Sequence, residues 1–288
     1  MSAPRDPLAA LLRRLELRPV ADGVLESHTG RGDGRVFGGL LLAQGLVAAG
    51  RVDVRGRPYS LHAHFLRSGR YGHPIRWEVE RLRDGWAFAT RAVTGIQLGQ
   101  AVIRCMVSFT TQEQGLAHQT PAAPAPDPAS LPDWEDLRVA ILGDASARRA
   151  DGPLEVRECD PDEARPHVGA PARRRLWMRP RGTLPDDPLL HAAMIAFASD
   201  RGLLSTAARP HGLMWGARLG ASLDHALWLH GPLRFDGWLL QVSESPVAAD
   251  GRGLVLGGFH RRDGVRIASV AQEGLIRVPP PPRPPTAR

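Results

Sequence analysis

The sequence predicts an α+β chain of two similar halves, each an antiparallel sheet wrapped around a long buried helix. Three observations predict it: a pattern of motifs that recurs across the chain, one strongly apolar helical segment in each half, and a proline- and alanine-rich stretch between them. The division expected is 1–115 for the first half, 116–150 for the linker, 151–278 for the second half and 279–288 for a disordered tail.

The recurrence is one of order and spacing. Ser60-Leu61-His62-Ala63-His64-Phe65-Leu66-Arg67-Ser68-Gly69 aligns with Ser222-Leu223-Asp224-His225-Ala226-Leu227-Trp228-Leu229-His230-Gly231 at an offset of 162. The strand patterns that follow stay in step. Ile75 to Leu82 matches Trp238 to Ser243, Trp86 to Thr94 matches Leu254 to Phe259, and Gly99 to Phe109 matches Gly264 to Gly274 at an offset of 165. An offset this constant over several elements marks a duplicated unit.

Each unit is expected to open with a helix. In the first, Phe37-Gly38-Gly39 leads into Leu40 to Ala49, apolar nearly all round and closed by Gly50. In the second, Asp186-Asp187 and Pro188 supply a cap and a first-turn proline for Leu189 to Asp200, which is apolar on most sides too. Helices without a polar face have to be covered, and a curled antiparallel sheet covers them. Between the halves, Thr120-Pro121-Ala122-Ala123-Pro124-Ala125-Pro126-Asp127-Pro128 is too poor in donors for a sheet or helix interior, with room for a short helix near Leu137 to Leu142. The tail from Val278, with Pro279 to Pro282, should be extended.

Composition removes whole classes of chemistry. A chain of 288 residues with 43% hydrophobic and 23% charged content is that of a folded protein of about two domains. No apolar run approaches the roughly 18 residues of a spanning helix, and Met1 to Arg14 lacks the order of a signal peptide, so a cytoplasmic, non-membrane protein is expected. The net charge of +7 is carried by arginines scattered among acids, which argues against nucleic acid as a partner. Lysine and asparagine are both missing from the sequence. Schiff-base chemistry, a Walker-type phosphate loop and a Cys-His-Asn site are therefore excluded. Cys105 and Cys159 stand far apart, so no metal cluster and no disulfide scaffold is expected. There is no GxSxG, HExxH or GxGxxG, and no cofactor is implied.

Several motifs in order carry a resemblance. Arg35-Val36-Phe37-Gly38-Gly39, His62-Ala63-His64-Phe65-Leu66-Arg67 and Leu82-Arg83-Asp84-Gly85-Trp86-Ala87-Phe88 lie in the first half. Ala198-Ser199-Asp200, Arg209-Pro210-His211-Gly212, Ser222 to His230 and Ala271-Gln272-Glu273-Gly274 lie in the second. From about Leu15 to Arg277 the chain resembles the double hot-dog acyl-CoA thioesterases of the thioesterase II (TesB) type. The resemblance implies hydrolysis of medium- to long-chain acyl-CoA to free acid and CoA, with a catalytic Asp, Thr and Gln. These fall on Asp200, Ser222 and Gln272; serine stands where the family usually has threonine, so the hydroxyl is kept and the methyl is not.

Thioester hydrolysis needs a water held for attack, a proton acceptor and donors for the oxyanion. Asp200 suits the acceptor, and the Ser222 hydroxyl and Gln272 amide suit the holding of water and carboxylate. Each also has a plainer reading: Asp200 as a solvated carboxylate at a helix end whose dipole disfavours it, Ser222 as a strand-start hydroxyl, Gln272 as a satisfied amide. His62, His64, His225 and His230 read as structural, with His62 the best of them as a base. The offsets carry Gln272 onto Val107 and Ser222 onto Ser60, so one site per chain is expected, walled by the first half. The alternatives are a non-catalytic acyl-CoA binder and a hot-dog enoyl-CoA hydratase with an Asp-His pair. Leftover edges and apolar faces imply self-association into a dimer or tetramer.

Overall fold

In the computed structural model, the described residues are 6–277 without 112, 113, 121, 123, 166, 214–219 and 232. The tail expected over 279–288 lies outside them. In chain order the first half contains α1 (Pro7–Leu15), β1 (Arg18–Ala21), β2 (Val24–Ser27), α2 (Gly38–Gly50), β3 (Arg57–Phe65), β4 (Ile75–Asp84), β5 (Phe88–Gln97) and β6 (Gln100–Thr110). After α3 (Trp134–Leu142) come β7 (Leu154–Glu158), β8 (Arg173–Pro180), α4 (Pro188–Ser199), α5 (Leu203–Ala208), β9 (Gly220–Ser222), β10 (Asp224–Leu229), β11 (Leu239–Ala249), β12 (Arg252–Arg261) and β13 (Arg266–Ile276).

The sheets of the two halves are continuous across their junction. Their strands run β1-β2-β4-β5-β6-β3-β10-β13-β12-β11-β8-β7, with β9 added beside β13. The second half mirrors the order of the first, and the halves join where β3 and β10 pair antiparallel, from Asp224↔His64 to Trp228↔Ser60. Two edge strands with free backbone groups have thereby closed each other.

In each half two strands precede the core helix, which does not open its unit as the apolar pattern suggests. β1 and β2 are four residues each, too short for a period of two to register. In β8 the run Arg173-Arg174-Arg175 hides an inward position. Arg174 is buried there because its guanidinium meets the buried Glu158 carboxylate at 2.7 Å.

The two core helices pack against each other. A β-carbon on Gly39 would collide with the Phe197 carbonyl and one on Gly50 with Leu189, so α2 and α4 run antiparallel at close range. Phe37 and Phe197 meet edge to face with centroids 5.1 Å apart where the start of α2 crosses the end of α4. Leu40, Leu42, Leu46, Met194 and Ile195 are buried between this pair and the sheet. Asp187 caps α4 through Leu189 N at 2.9 Å, whereas Phe37, at the same place on α2, has no side chain to offer.

The 116–150 segment is tied to the second half. Pro126 O accepts from Trp177 Nε1 at 2.8 Å, and Pro124 O from Arg175 at 2.7 Å. The helix α3 is capped by Asp133, and Arg174 stacks over the Trp134 ring at 4.4 Å.

Candidate active site

The missing cap of α2 is supplied by the other half of the chain. Asp200, the residue that ends α4, accepts Gly39 N–H on Oδ2 at 2.9 Å. At the end of α4 alone a carboxylate would face the negative end of a helix dipole. Because the helices are antiparallel it also faces the positive start of α2, which offsets that effect. The two glycines are there for this contact. A β-carbon on Gly38 would stand 2.8 Å from Asp200 Oδ2 and 3.2 Å from the Phe65 ring, and one on Gly39 would strike Phe197 O and the Phe37 ring.

The other expected residues converge on the same carboxylate. Ser222 ends β9 opposite Gly274, and its hydroxyl donates to Asp200 Oδ1 across 3.4 Å. Gln272, buried on β13, donates from Nε2 to Ser222 Oγ at 3.0 Å and also hydrogen-bonds Asp200. Leu223 N bonds Glu273 O at 2.9 Å and Phe65 N bonds Leu223 O at 2.9 Å, so the backbone beside Ser222 is fastened to both halves. Asp224 takes Glu273 N–H at 2.8 Å and has a structural role.

Behind Gln272 stands a residue read from sequence as merely structural. His225 Nδ1 is 2.6 Å from Gln272 Oε1, and its Nε2 is 2.9 Å from Ser199 Oγ. Gln272 turns its amide nitrogen to Ser222, so its oxygen faces His225 and the proton belongs on Nδ1. His62, the favoured base among the histidines, is exposed on the opposite face against Trp228, with ring centroids 5.2 Å apart. The signal that could have singled out His225 is its inward place in an alternating strand, one step along the ladder from Ala226↔Ala271 and so beside Gln272.

The same ladder corrects the counterpart of Ser222. Val102, Ile103, Cys105, Val107 and Phe109 are buried in the pattern of Ile267, Ala268, Val270, Gln272 and Gly274, which equates Val107 with Gln272 as expected. Leu61 pairs with Val107 across its ladder, so Leu61 is the counterpart of His225, and Ser60 is not that of Ser222. A Leu-Val pair fills the place of the His-Gln pair.

Burial drives the electrostatics. Desolvation pushes the Asp200 carboxyl up to about 6, against the pull of the Gly39, Gln272 and Ser222 donors. Desolvation also takes His225 down to about 4 despite its bond to Gln272, so the ring is neutral near pH 7. Two cavities meet at this point. One of about 420 Å³ runs from Ser222 and Gly38 past Phe65 and Leu41 to Arg35 and Arg67; the other, of about 360 Å³, holds Asp200, Ser222, Arg201, Trp134 and Arg149. The 116–150 segment thus forms a wall of the site.

Comparison with known proteins agrees with this architecture. The family model described as "Acyl-CoA thioesterase" matches residues 150–275, and "Acyl-CoA thioesterase N-terminal domain" matches 25–110. Acyl-coenzyme A thioesterase 8 of Mus musculus is 36% identical over 260 residues, 85% of this chain and 81% of the relative. Acyl-CoA thioesterase 2 of Haemophilus influenzae is 32% identical over 286 residues, 94% of this chain and 98% of that one. The crystal structure of an acyl-CoA thioesterase II, TesB2, from Mycobacterium marinum superposes with a TM-score of 0.77 at 35% identity, covering 93% of this chain and 98% of the other. With a double hot-dog fold, both family segments matched in order and relatives alike over most of their length, the chain belongs to the acyl-CoA thioesterase family.

Proposed function

We propose that the protein hydrolyses acyl-CoA to free acid and CoA through one water activated by Asp200, Ser222 and Gln272. The observation that carries this reading is the Asp200 carboxylate held between Gly39 N–H and the Ser222 hydroxyl, at the meeting of two cavities. Asp200 takes a proton from the water as its oxygen attacks the thioester carbon. The tetrahedral intermediate collapses, the carbon–sulfur bond breaks, and the proton passes from Asp200 to the leaving thiolate. Ser222 and Gln272 orient the carboxylate and the water, and His225 holds Gln272 with its amide nitrogen towards them. Gly38 N–H, which has no hydrogen bond among the described residues and lines the larger cavity at the start of α2, suits the oxyanion.

The convergence of Asp200, Ser222 and Gln272 favours a hydrolase over a non-catalytic binder. A hydratase would pair the aspartate with a histidine, whereas His225 faces Gln272. In this reading, residues 1–115 and 151–278 are the two hot-dog units, and the replacement of His225 and Gln272 by Leu61 and Val107 leaves the first without a site of its own. Chains associate through the outer face of the sheet, where Met106, Trp228 and Leu256 stay exposed; light scattering at micromolar concentration tests this. The hydrolase reading is tested on purified protein with saturated acyl-CoA esters of increasing length, medium and long chains included. Release of free thiol without added cofactor is expected, and no release from any of them would refute it.

A further inference from the structure

A line of side chains runs from the core to the site. Ser199 Oγ is 2.9 Å from His225 Nε2, and His225 Nδ1 is 2.6 Å from Gln272 Oε1. Gln272 Nε2 is 3.0 Å from Ser222 Oγ, which is 3.4 Å from Asp200 Oδ1. Ser199, His225 and Gln272 are at most 1% exposed, so their partners are one another and the nearby backbone. Ser199 has a second acceptor within reach, the carbonyl of Ala196 earlier on α4, also at 2.9 Å. The hydroxyl has a single proton for these two places.

The protons can be arranged in two ways. Burial takes the His225 pKa down to about 4, so near pH 7 the ring carries one proton. In the first arrangement Ser199 donates to Nε2, and the ring proton sits on Nδ1 and goes to Gln272 Oε1. Every later hydrogen bond then points the same way, from Gln272 Nε2 to Ser222 and from Ser222 to Asp200. In the second, Ser199 donates to Ala196 O and accepts from Nε2–H, which leaves Nδ1 bare. Two acceptors 2.6 Å apart repel, and the Gln272 amide turns over to set its oxygen against Ser222. The Ser222 hydroxyl is drawn to that oxygen, and of its donors Gly39, Gln272 and Ser222 the Asp200 carboxylate keeps Gly39. The first arrangement ends on an ionised carboxylate, where hydrogen bonds are strong and bonds aligned in one direction reinforce each other.

We propose that Ser199 is a positioning residue: its hydroxyl donates to His225 Nε2 and not to its own helix, and so sets the direction of the hydrogen bonds that make Gln272 and Ser222 donors to Asp200. This deepens the hydrolase reading and rests on it. Ser199 lines neither cavity and acts through His225. Arg149, Arg174 and Arg201, which share the smaller cavity with Asp200, and the Asp224 carboxylate near His225 are unaltered by a change at Ser199. A shift in the titration of the site then reports the hydrogen-bond chain.

Two measurements on Ser199→Ala test this. The first is nitrogen NMR of the histidine rings in the whole chain, with the His225 signals assigned by their loss in His225→Gln. The wild type should carry its proton on Nδ1, with an Nε2 resonance displaced by a donated hydrogen bond; Ser199→Ala should return Nε2 to the position of a free acceptor. A wild-type ring protonated on Nε2, or an Nε2 resonance unmoved by Ser199→Ala, would overturn the proposal. The second is the pH profile of kcat/KM. With the hold on Gln272 and Ser222 loosened, kcat/KM near pH 7 should fall about two- to tenfold, as loss of a neutral hydrogen bond does, and the midpoint of its rise should move to higher pH. A lower melting temperature with that midpoint unmoved would make Ser199 a packing residue only, and overturn the proposal as well. The ring measurement needs no turnover, so it judges the direction of the chain even where the wild type releases no thiol, an outcome that refutes the hydrolase reading instead.

Discussion

The Gly39 N–H and the Asp200 carboxylate, 161 positions apart in sequence, are 2.9 Å apart in the structure. This one hydrogen bond caps the helix of the first half with the candidate base of the second. Neither half alone would hold the carboxylate in place.

Gly38 tests that dependence. Its backbone is compatible with alanine, but the new β-carbon would stand 2.8 Å from Asp200 Oδ2 and force the carboxylate away. Gly38→Ala should therefore lower kcat by about a hundredfold, the usual effect of a misplacement near 1 Å, in a protein with an unchanged circular dichroism spectrum. Full activity would mean that the carboxylate has room to spare.

The Asp200 carboxyl, raised from the ordinary 3.8 to about 6, makes two pH predictions. Catalysis needs the ionised form, so kcat/KM should rise with pH to a plateau above about 6. Stability runs the other way. A folded-state pKa above the unfolded one favours the protonated native state, a contribution present below the unfolded value and lost as pH rises through the folded one. Asp200→Asn should then melt higher than the wild type at pH 8, with the gap shrinking toward pH 4. Melting curves at the two pH values check it; a gap that widens on acidification is inconsistent with a desolvated carboxylate.

His225 and Gln272 occupy the place that Leu61 and Val107 fill in the first half, and this suggests a cycle. His225→Leu strands the Gln272 carbonyl and should lose about 1–3 kcal/mol of stability, together with most activity. The double variant His225→Leu, Gln272→Val removes both polar partners and should regain most of that stability while staying inactive. Denaturant titration and thiol release separate the two effects. A double variant no more stable than His225→Leu would show that the pair does not act as a unit.

At Ser222 the family's usual threonine can be restored. Ser222→Ala removes a donor to Asp200 worth roughly 1.5–3 kcal/mol, a slowing of about ten- to a hundredfold. Ser222 borders both cavities, so the methyl of Ser222→Thr has space and the variant should keep most activity. If the two variants fall equally, the hydroxyl is not what matters there.

Much of this was legible from residue patterns. Leu40 to Ala49 and Leu189 to Ser199 are apolar on nearly every side, and such helices have few places other than a core. The four long strands of each half alternate well enough to align with one another. What escaped was short, charged or distant. β1 and β2 have too few residues for a period, and Arg174 looks solvent-facing until Glu158 is known to meet it. Ordered motifs single out Asp200, Ser222 and Gln272 as candidates, but the bond from Asp200 to Gly39 joins two helices whose antiparallel packing no local pattern encodes. His225 was passed over because its partner is an amide, not an acid. Trp134 and Arg149 reach the site from a stretch whose prolines read as a mere connection.

Turnover of Asp200→Asn tests Asp200 as the proposed base for the attacking water at the junction of the halves. The substitution preserves shape and an acceptor for Gly39 N–H while removing the base. On any acyl-CoA that the wild type cleaves, kcat should fall by about 10² to 10⁴, with the fold intact by circular dichroism. Undiminished turnover in a folded Asp200→Asn protein would contradict the account.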